Sequence, residues 1–327
     1  MNSSNGTTFR ELLQASFKSN DTEEWLDVHF TRPIGLVFAL FWNRFGVHPN
    51  VITILSIFLG IAAGYMFVFT DLWHNLAGVV LLMFANFCDS TDGQMARLTG
   101  KKTLIGRMLD GFSGDVWFFC IYVGIATRLM GQTIPGTDIA WSFWGWALAF
   151  IAGVLCHSPQ SSLADYYRQI HLFFLKGKSG SELDNYVQQR AKFESLPMKN
   201  WFEKLYYYFY ANYCKSQEKR TAAFQSFFEA WNKACLKHNK EQLEPIRQEF
   251  LKGSRPLMPF TNLLTFNSRA ITIYLACIAG SLTNDVVGPW IFFFFEIVVL
   301  NILYICMHKR HETLCQQMTK KLAALNA

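Results

Sequence analysis

Cys88-Asp-Ser-Thr-Asp92-Gly-Gln-Met-Ala96-Arg97, followed after eight residues by Gly106-Arg-Met-Leu-Asp110-Gly-Phe-Ser-Gly114-Asp115, decides how this chain is read. Its four aspartates sit beside apolar runs of roughly 18–22 residues, the length that crosses a bilayer. An ionisable group at the end of a membrane span is costly and points to function. Four of them, with glycines and an arginine between, need a shared counter-charge. A divalent metal is the simplest, because hard cations take carboxylate oxygens. Asp89, Asp92, Gly93, Ala96 and Arg97 stand at i, i+3, i+4, i+7 and i+8, one face of a helix. Both carboxylates therefore point the same way. Gly93 and Ala96 leave room for a ligand to approach the backbone, and Arg97, two turns on, can pair with a phosphate. Gly106 begins the next helix, on which Asp110 faces the first pair. Helices that present carboxylates to each other make a binuclear site of the kind used for phosphoryl transfer, where one carboxylate can also take a proton from an attacking hydroxyl.

Outward from this stretch, the chain of 327 residues is 51% hydrophobic, with 31 Phe and 10 Trp. Its apolar residues lie in blocks, which makes it an all-α polytopic membrane protein. The net charge is +6, and the basic residues lie outside the blocks. Membrane topology accounts for that pattern without nucleic acid as a partner. The 8 Cys are scattered, with no CxxC and no Cys/His pair at zinc spacing, so free thiols are expected. Met1 to Glu24 is polar, and no signal peptide is expected there. Sequons begin at Asn2, Asn5 and Asn20, but the topology argues against their use. No GxSxG, HExxH or Walker sequence competes with the aspartates.

Residues 1–23 read as disordered or loosely helical. Residues 24–45 mix Trp25, Phe30, Val37, Phe41 and Trp42 with Arg32 and Arg44, the pattern of an interfacial helix that anchors the chain or contributes to a substrate entrance. Pro49-Asn50 breaks the chain and caps the first span. Six spans are expected, at about 50–70, 73 to the aspartates, 104–128, 139–157, 267–283 and 287–307. Residues 171–258 form a charged insertion of two or three amphipathic helices, broken at Gly177–Gly180 and Pro197, read as a cap or dimer-packing element. The organisation is thus 1–48, 49–170, 171–258 and 259–327. Lys and Arg concentrate in the N-terminal segment, the 98–107 loop, the insertion and the C-terminal tail, which places both termini and the aspartates on the cytoplasmic side.

The pattern Asp-x2-Asp-Gly-x2-Ala-Arg-x8-Gly-x3-Asp, met at Asp89, Asp92, Gly93, Ala96, Arg97, Gly106 and Asp110, resembles the signature of the CDP-alcohol phosphotransferases (CDP-alcohol phosphatidyltransferases). The interfacial helix, the Pro49-Asn50-x-Ile52-Thr53 start and the span count are similar to that family too, while 171–258 lies outside the likeness. The resemblance implies two divalent ions, Mg²⁺ or Mn²⁺, on Asp89, Asp92, Asp110 and Asp115. It implies a CDP-alcohol donor held at Gly93, Ala96, Arg97 and Gly106. An acceptor hydroxyl would attack the β-phosphorus and CMP would leave, in a membrane homodimer making phospholipid or sphingolipid. The donor is CDP-diacylglycerol with an acceptor such as inositol phosphate, or a CDP-amino alcohol with diacylglycerol or ceramide. Arg269, at the mouth of the fifth span, leans the choice toward the first as an acceptor-binding residue; its other reading is a positive-inside flank.

One position departs from the family. Its last aspartate, the presumed base, falls four residues after the third; here that position is Gly114 and the acid is Asp115. At 100° per residue, i+4 is offset by about 40° and i+5 by about 140°. Three readings stand. Asp115 is the base on a helix with an i→i+5 bulge; Asp110 or another group takes the proton with Asp115 in outer support; or the site binds without turnover. Lys101, Lys102 and Arg107 would meet CDP or lipid phosphate, and His157 reads as packed or interfacial. The rival classes are a cation transporter, whose site would lie near the midplane, and a scaffold that binds a partner through the insertion.

Overall fold

The computed structural model describes residues 8–17, 19–101 and 103–325. Its α-helices, in chain order, are α1 (Phe9–Ser16), α2 (Arg32–Arg44), α3 (Pro49–Met66), α4 (Leu72–Thr99), α5 (Leu104–Leu129), α6 (Ser142–Phe150), α7 (Ser158–Lys176) and α8 (Tyr186–Ser195). There follow α9 (Trp201–Arg220), α10 (Ala222–Lys237), α11 (Lys240–Ser254), α12 (Met258–Asn262), α13 (Phe266–Thr283), α14 (Trp290–Phe294) and α15 (Asn301–Leu325). The described residues contain no strand, only an isolated bridge between Thr133 and Ala140. The protein is all-α and polytopic. Five helical stretches are long and apolar enough to cross a membrane: Pro49–Met66, Leu72–Thr99, Leu104–Leu129, Lys240–Thr283 and Trp290–Leu325. The segment expected to span at 139–157 is helical as α6 and a π-helical continuation, Ile151–His157, but is not among the five. The helix begins only at Ser142, so apolar Ile139 and Ala140 lie outside it, Ala140 in the bridge to Thr133.

Local chemistry sets the helix ends. Thr8 and Glu11 form a capping box, so the described part of the N-terminal segment begins with a capped helix, α1. Asn2 and Asn5 lie outside the described residues. Pro49 occupies the first turn of α3, where its missing N–H costs nothing, and His48 is the N-cap; the cap is one residue earlier than Pro49-Asn50 suggested. Asp71 caps α4 by accepting from His74 N.

The chain separates into two compact units. The first, Met1–His157 with Phe266–Val299, holds a core of Phe67, Leu82, Trp117, Ile121, Ile125, Ile273 and Phe292. In it α3 and α5 cross backbone to backbone, since a Cβ on Gly124 would collide with the Gly64 carbonyl oxygen. Two buried ion pairs tie its helices. Arg128 donates to Asp285 Oδ1 at 2.6 Å and to Asn75 Oδ1 at 2.7 Å, and Gln132 also donates to Asp285. Arg269 Nη2 meets Glu296 Oε1 at 2.8 Å, both side chains wholly buried.

The second unit, Ser158–Thr265 with Leu300–Ala327, has its own core. Leu163, Tyr167 and Phe174 of α7 pack with Phe224, Phe227 and Trp231 of α10, Phe250 of α11, and Cys315 and Met318 of α15. The 171–258 stretch is helical as α8 to α11, with short 3₁₀ turns at Lys178–Gly180 and Met198–Asn200 where glycines and Pro197 break the pattern. All eight Cys are free thiols.

Candidate active site

The candidate active-site stretch is a helix pair. Helix α4 ends at Gly100, whose φ of 67° is the left-handed conformation that glycine adopts without strain. Thr103 then starts α5 by accepting from Gly106 N at 2.9 Å. This tight reversal faces the C-terminal part of α4 with the N-terminal part of α5. Asp89 and Asp92 of α4 and Asp110 of α5 each offer a carboxylate oxygen within 4.8 Å of the others. Asp92 is buried, Asp89 half-buried and Asp110 exposed, so the group opens along one side.

Three carboxylates at this range repel one another unless a cation sits between them. The residues fit one: Asp92 Oδ2 is buried without a hydrogen-bond partner, a cost that a metal bond would remove. The other carboxylate contacts orient the group. Ser113, wholly buried on α5, places its Oγ 3.1 Å from Asp89 Oδ1 and 2.8 Å from the Asp110 carbonyl oxygen. The Thr53 hydroxyl of α3 donates to the Pro49 carbonyl oxygen at 3.3 Å. Arg97 Nε and Nη2 are likewise buried without partners. A buried guanidinium with orphan N–H groups, on the helix that carries Asp89 and Asp92, is a ready phosphate donor.

Gly93 lies beside this guanidinium: a Cβ there would be 3.4 Å from Arg97 Nη1. A Cβ on Gly106 would be 2.8 Å from Asn50 Oδ1, so this glycine lets the start of α3 close on the start of α5. Ala96 is half-buried on the same helix.

Asp115 is placed differently from expectation. Helix α5 is α-helical throughout Leu104–Leu129, with no π segment after Asp110, so the expected bulge is absent. The regular helix turns Asp115 about 140° from Asp110, and Asp115 is not among the converging carboxylates. Gly114, about 40° from Asp110, would carry a Cβ with no atom within 4 Å. Arg269 is a second correction. It is wholly buried, and its Nε and Nη2 bond Glu296 at 2.8–3.1 Å, which occupies the groups an acceptor phosphate would need. Lys101 and Arg107 are exposed, and Lys102 lies outside the described residues. His157 packs, with its ring edge-on to Phe118 and Nδ1 3.1 Å from the Tyr122 hydroxyl oxygen.

The N-terminal helix belongs to the site's wall. Gln94 Nε2 donates to the Arg32 carbonyl oxygen at 3.0 Å, and Thr91 Oγ1 to that of Gly35 at 3.3 Å, which lays α2 against the acid-bearing part of α4. Leu36 and Ala39 are buried in this packing, while Val37 and Phe41 are more than half exposed. Arg32 is neutralised by Glu23, 3.1 Å away. Sequence reading missed Ser113, Gln94 and Glu23. Ser113 had a signal, since i+3 from Asp110 is the same helix face; the Glu23–Arg32 pair had none.

Residues 46–159 match the family model of CDP-alcohol phosphatidyltransferases. The chain is similar to an archaetidylinositol phosphate synthase of Pyrococcus horikoshii, 36% identical over 81 residues, which are 25% of this chain and 42% of that protein. It is also similar to putative cardiolipin synthases of Mycobacterium tuberculosis and Mycobacterium bovis, 27% identical over 116 residues, 31% of this chain and 53% of theirs. The chain spans about half the length of these curated relatives. No solved structure matches it. Residues 46–159, with the aspartate trio near their centre, are the part of the chain that is similar to the CDP-alcohol phosphatidyltransferases.

Proposed function

We propose that the protein transfers a phospho-alcohol group from a CDP-alcohol to a hydroxyl acceptor with release of CMP, in phospholipid or sphingolipid synthesis. The observation that carries this reading is the meeting of three carboxylates, one with an orphan buried oxygen, beside a guanidinium with orphan N–H groups. Asp89, Asp92 and Asp110 would hold the divalent ions, Mg²⁺ or Mn²⁺, which when bound neutralise the pyrophosphate and polarise its phosphorus–oxygen bonds. Arg97 donates to phosphate oxygens of the donor and gains strength from its burial. Gly93 keeps the space beside it open, and Gly106 lets the start of α3 close on the start of α5. The acceptor's proton goes to a carboxylate oxygen of Asp110, the most exposed acid of the trio, with Asp115 in an outer supporting role. The regular α5 helix supports this second of the three sequence readings over a bulged helix.

The names of the similar proteins, an archaetidylinositol phosphate synthase and cardiolipin synthases, favour CDP-diacylglycerol with a polar acceptor such as an inositol phosphate. The burial of Arg269 withdraws the residue first assigned to that acceptor, so the lean rests on the relatives alone. Transfer from a CDP-amino alcohol to diacylglycerol or ceramide is the alternative. A cation transporter is disfavoured by depth: Asp89 and Asp92 lie 17 and 20 residues after the start of α4, about 26–30 Å along it, at an end and not the midplane. The distribution of Lys and Arg supports a cytoplasmic site and cytoplasmic termini. The assembly would be a homodimer, as the family likeness implies.

The test is CMP release by the purified full chain in proteoliposomes, with labelled CDP-diacylglycerol compared against labelled CDP-ethanolamine. Release from one donor, abolished by EDTA and restored by Mg²⁺ or Mn²⁺, is expected. Absence of CMP release from every CDP-alcohol would sink the reading.

A further inference from the structure

Helix α15 carries a second feature, remote in sequence from the aspartates. With Leu257 and Gly253 it encloses a groove of about 530 Å³ whose α15 lining includes Cys306, Lys309, Arg310 and Thr313. Leu314 closes the groove beside Gly253. Lys309 and Arg310 are exposed and form no ion pair among the described residues. Other cations of the same unit do pair: Arg247 with Glu244 and Lys233 with Glu229, both at 2.6 Å. The groove thus presents two unneutralised cations over an apolar wall.

The same helix face continues out of the groove. Ile302, Ile305, Cys306, Lys309 and Thr313 stand at i, i+3, i+4, i+7 and i+11, a single stripe. Ile302 and Ile305 are 60% and 61% exposed. The apolar run from Trp290 ends at Met307, so the stripe passes from lipid-facing isoleucines to cations where the span leaves the hydrocarbon. Ile302 and Lys309 are about 10 Å apart along the axis, within reach of one amphiphile.

We propose that this groove binds an anionic phospholipid of the bilayer. Its phosphodiester meets Lys309, the Arg310 fork and the Thr313 hydroxyl, and an acyl chain lies along Ile305 and Ile302. Charge complementarity selects the anionic head, since a zwitterionic lipid would bring its ammonium against two cations. The exposed isoleucines select a lipid over a free phosphate. Binding here uses none of the groups assigned to the transfer chemistry and stands whether or not that reading holds.

The full chain in nanodiscs, probed with phosphatidylglycerol and with phosphatidylcholine of the same acyl chains, tests this. Native mass spectrometry should find phosphatidylglycerol retained in preference to phosphatidylcholine. Lys309→Ala/Arg310→Ala should weaken that retention about 30-fold and leave phosphatidylcholine unchanged. Lys309→Arg/Arg310→Lys should preserve it. Thr313→Trp, which fills the groove without touching the charges, should also release the lipid. Equal retention of the two lipids, or equal retention of phosphatidylglycerol by the wild type and both groove variants, overturns the proposal. Displacement of the lipid by glycerol 3-phosphate at comparable concentration overturns the acyl-chain part.

Discussion

At the scale of residues, the site rests on how few groups neutralise one another. Asp92 is buried with an oxygen that lacks any partner, so Asp92→Asn should remove both the charge and the reason for a cation to bind. Turnover should fall about 10²–10³-fold, and Mn²⁺ binding read by electron paramagnetic resonance should be lost. Ser113 holds Asp89 from the neighbouring helix. Ser113→Ala should weaken Mn²⁺ binding by about 10–100-fold, the usual cost of losing a group that orients a ligand. Position 114 tests the displaced acid. Gly114 faces open space about 40° from Asp110, so Gly114→Asp should accelerate CMP release, whereas Asp115→Asn should keep most of the turnover and all of the metal binding. Loss of turnover in Asp115→Asn with intact metal binding would return Asp115 to the chemistry. The spacing of Asp89, Asp92, Arg97 and Asp110 was legible because a helix repeats its faces; the place of Asp115 was not, because glycines permit a bulge without requiring one.

At the scale of elements, the membrane helices meet through absent side chains. Gly124 and Gly64 let α3 and α5 touch at the backbone. Gly124→Ala should lower stability by about 1–3 kcal/mol through overpacking, seen as a drop in the thermal midpoint in detergent. The π-helical turns lie elsewhere than expected, at Asp27–Thr31, Ile151–His157 and Phe295–Leu300. Each carries a polar side chain to a partner on another helix: Asp27 to Asn267 at 3.2 Å, His157 to Tyr122, and Glu296 to Arg269. An extra residue in a helical turn re-aims the side chains beyond it, and here it brings polar groups inward. The sequence showed Arg32 and the aromatic residues of α2 as an interfacial pattern. That α2 lies on α4 beside the acids is due to Gln94 and Thr91 reaching its carbonyl groups.

At the scale of the whole molecule, two wholly buried charges, Arg269 and Glu296, belong to the frame of the first unit. Glu296→Gln should cost about 3–5 kcal/mol by leaving a buried cation unpaired, and Arg269→Met/Glu296→Met should recover much of it, measured by thermal unfolding. In the second unit, α10 and α11 supply Phe224, Phe227 and Phe250 to a core shared with α7 and α15. Deletion of 171–258 should therefore leave Leu163, Tyr167 and Met318 without partners, and the truncated chain should fail to accumulate as folded protein.

The sequence alone determined the class of the protein and the identity of its acids. Apolar run length and the repeat of the helix are local properties, and both are readable without a neighbour. Only the tertiary structure decided which of those residues meet: Asp110 with Asp89 and Asp92, Arg269 with Glu296, α2 with α4. These contacts join positions 18 to 62 residues apart. They are set by packing and by the cost of leaving a buried charge or carbonyl unpaired, and neither has a trace in local spacing.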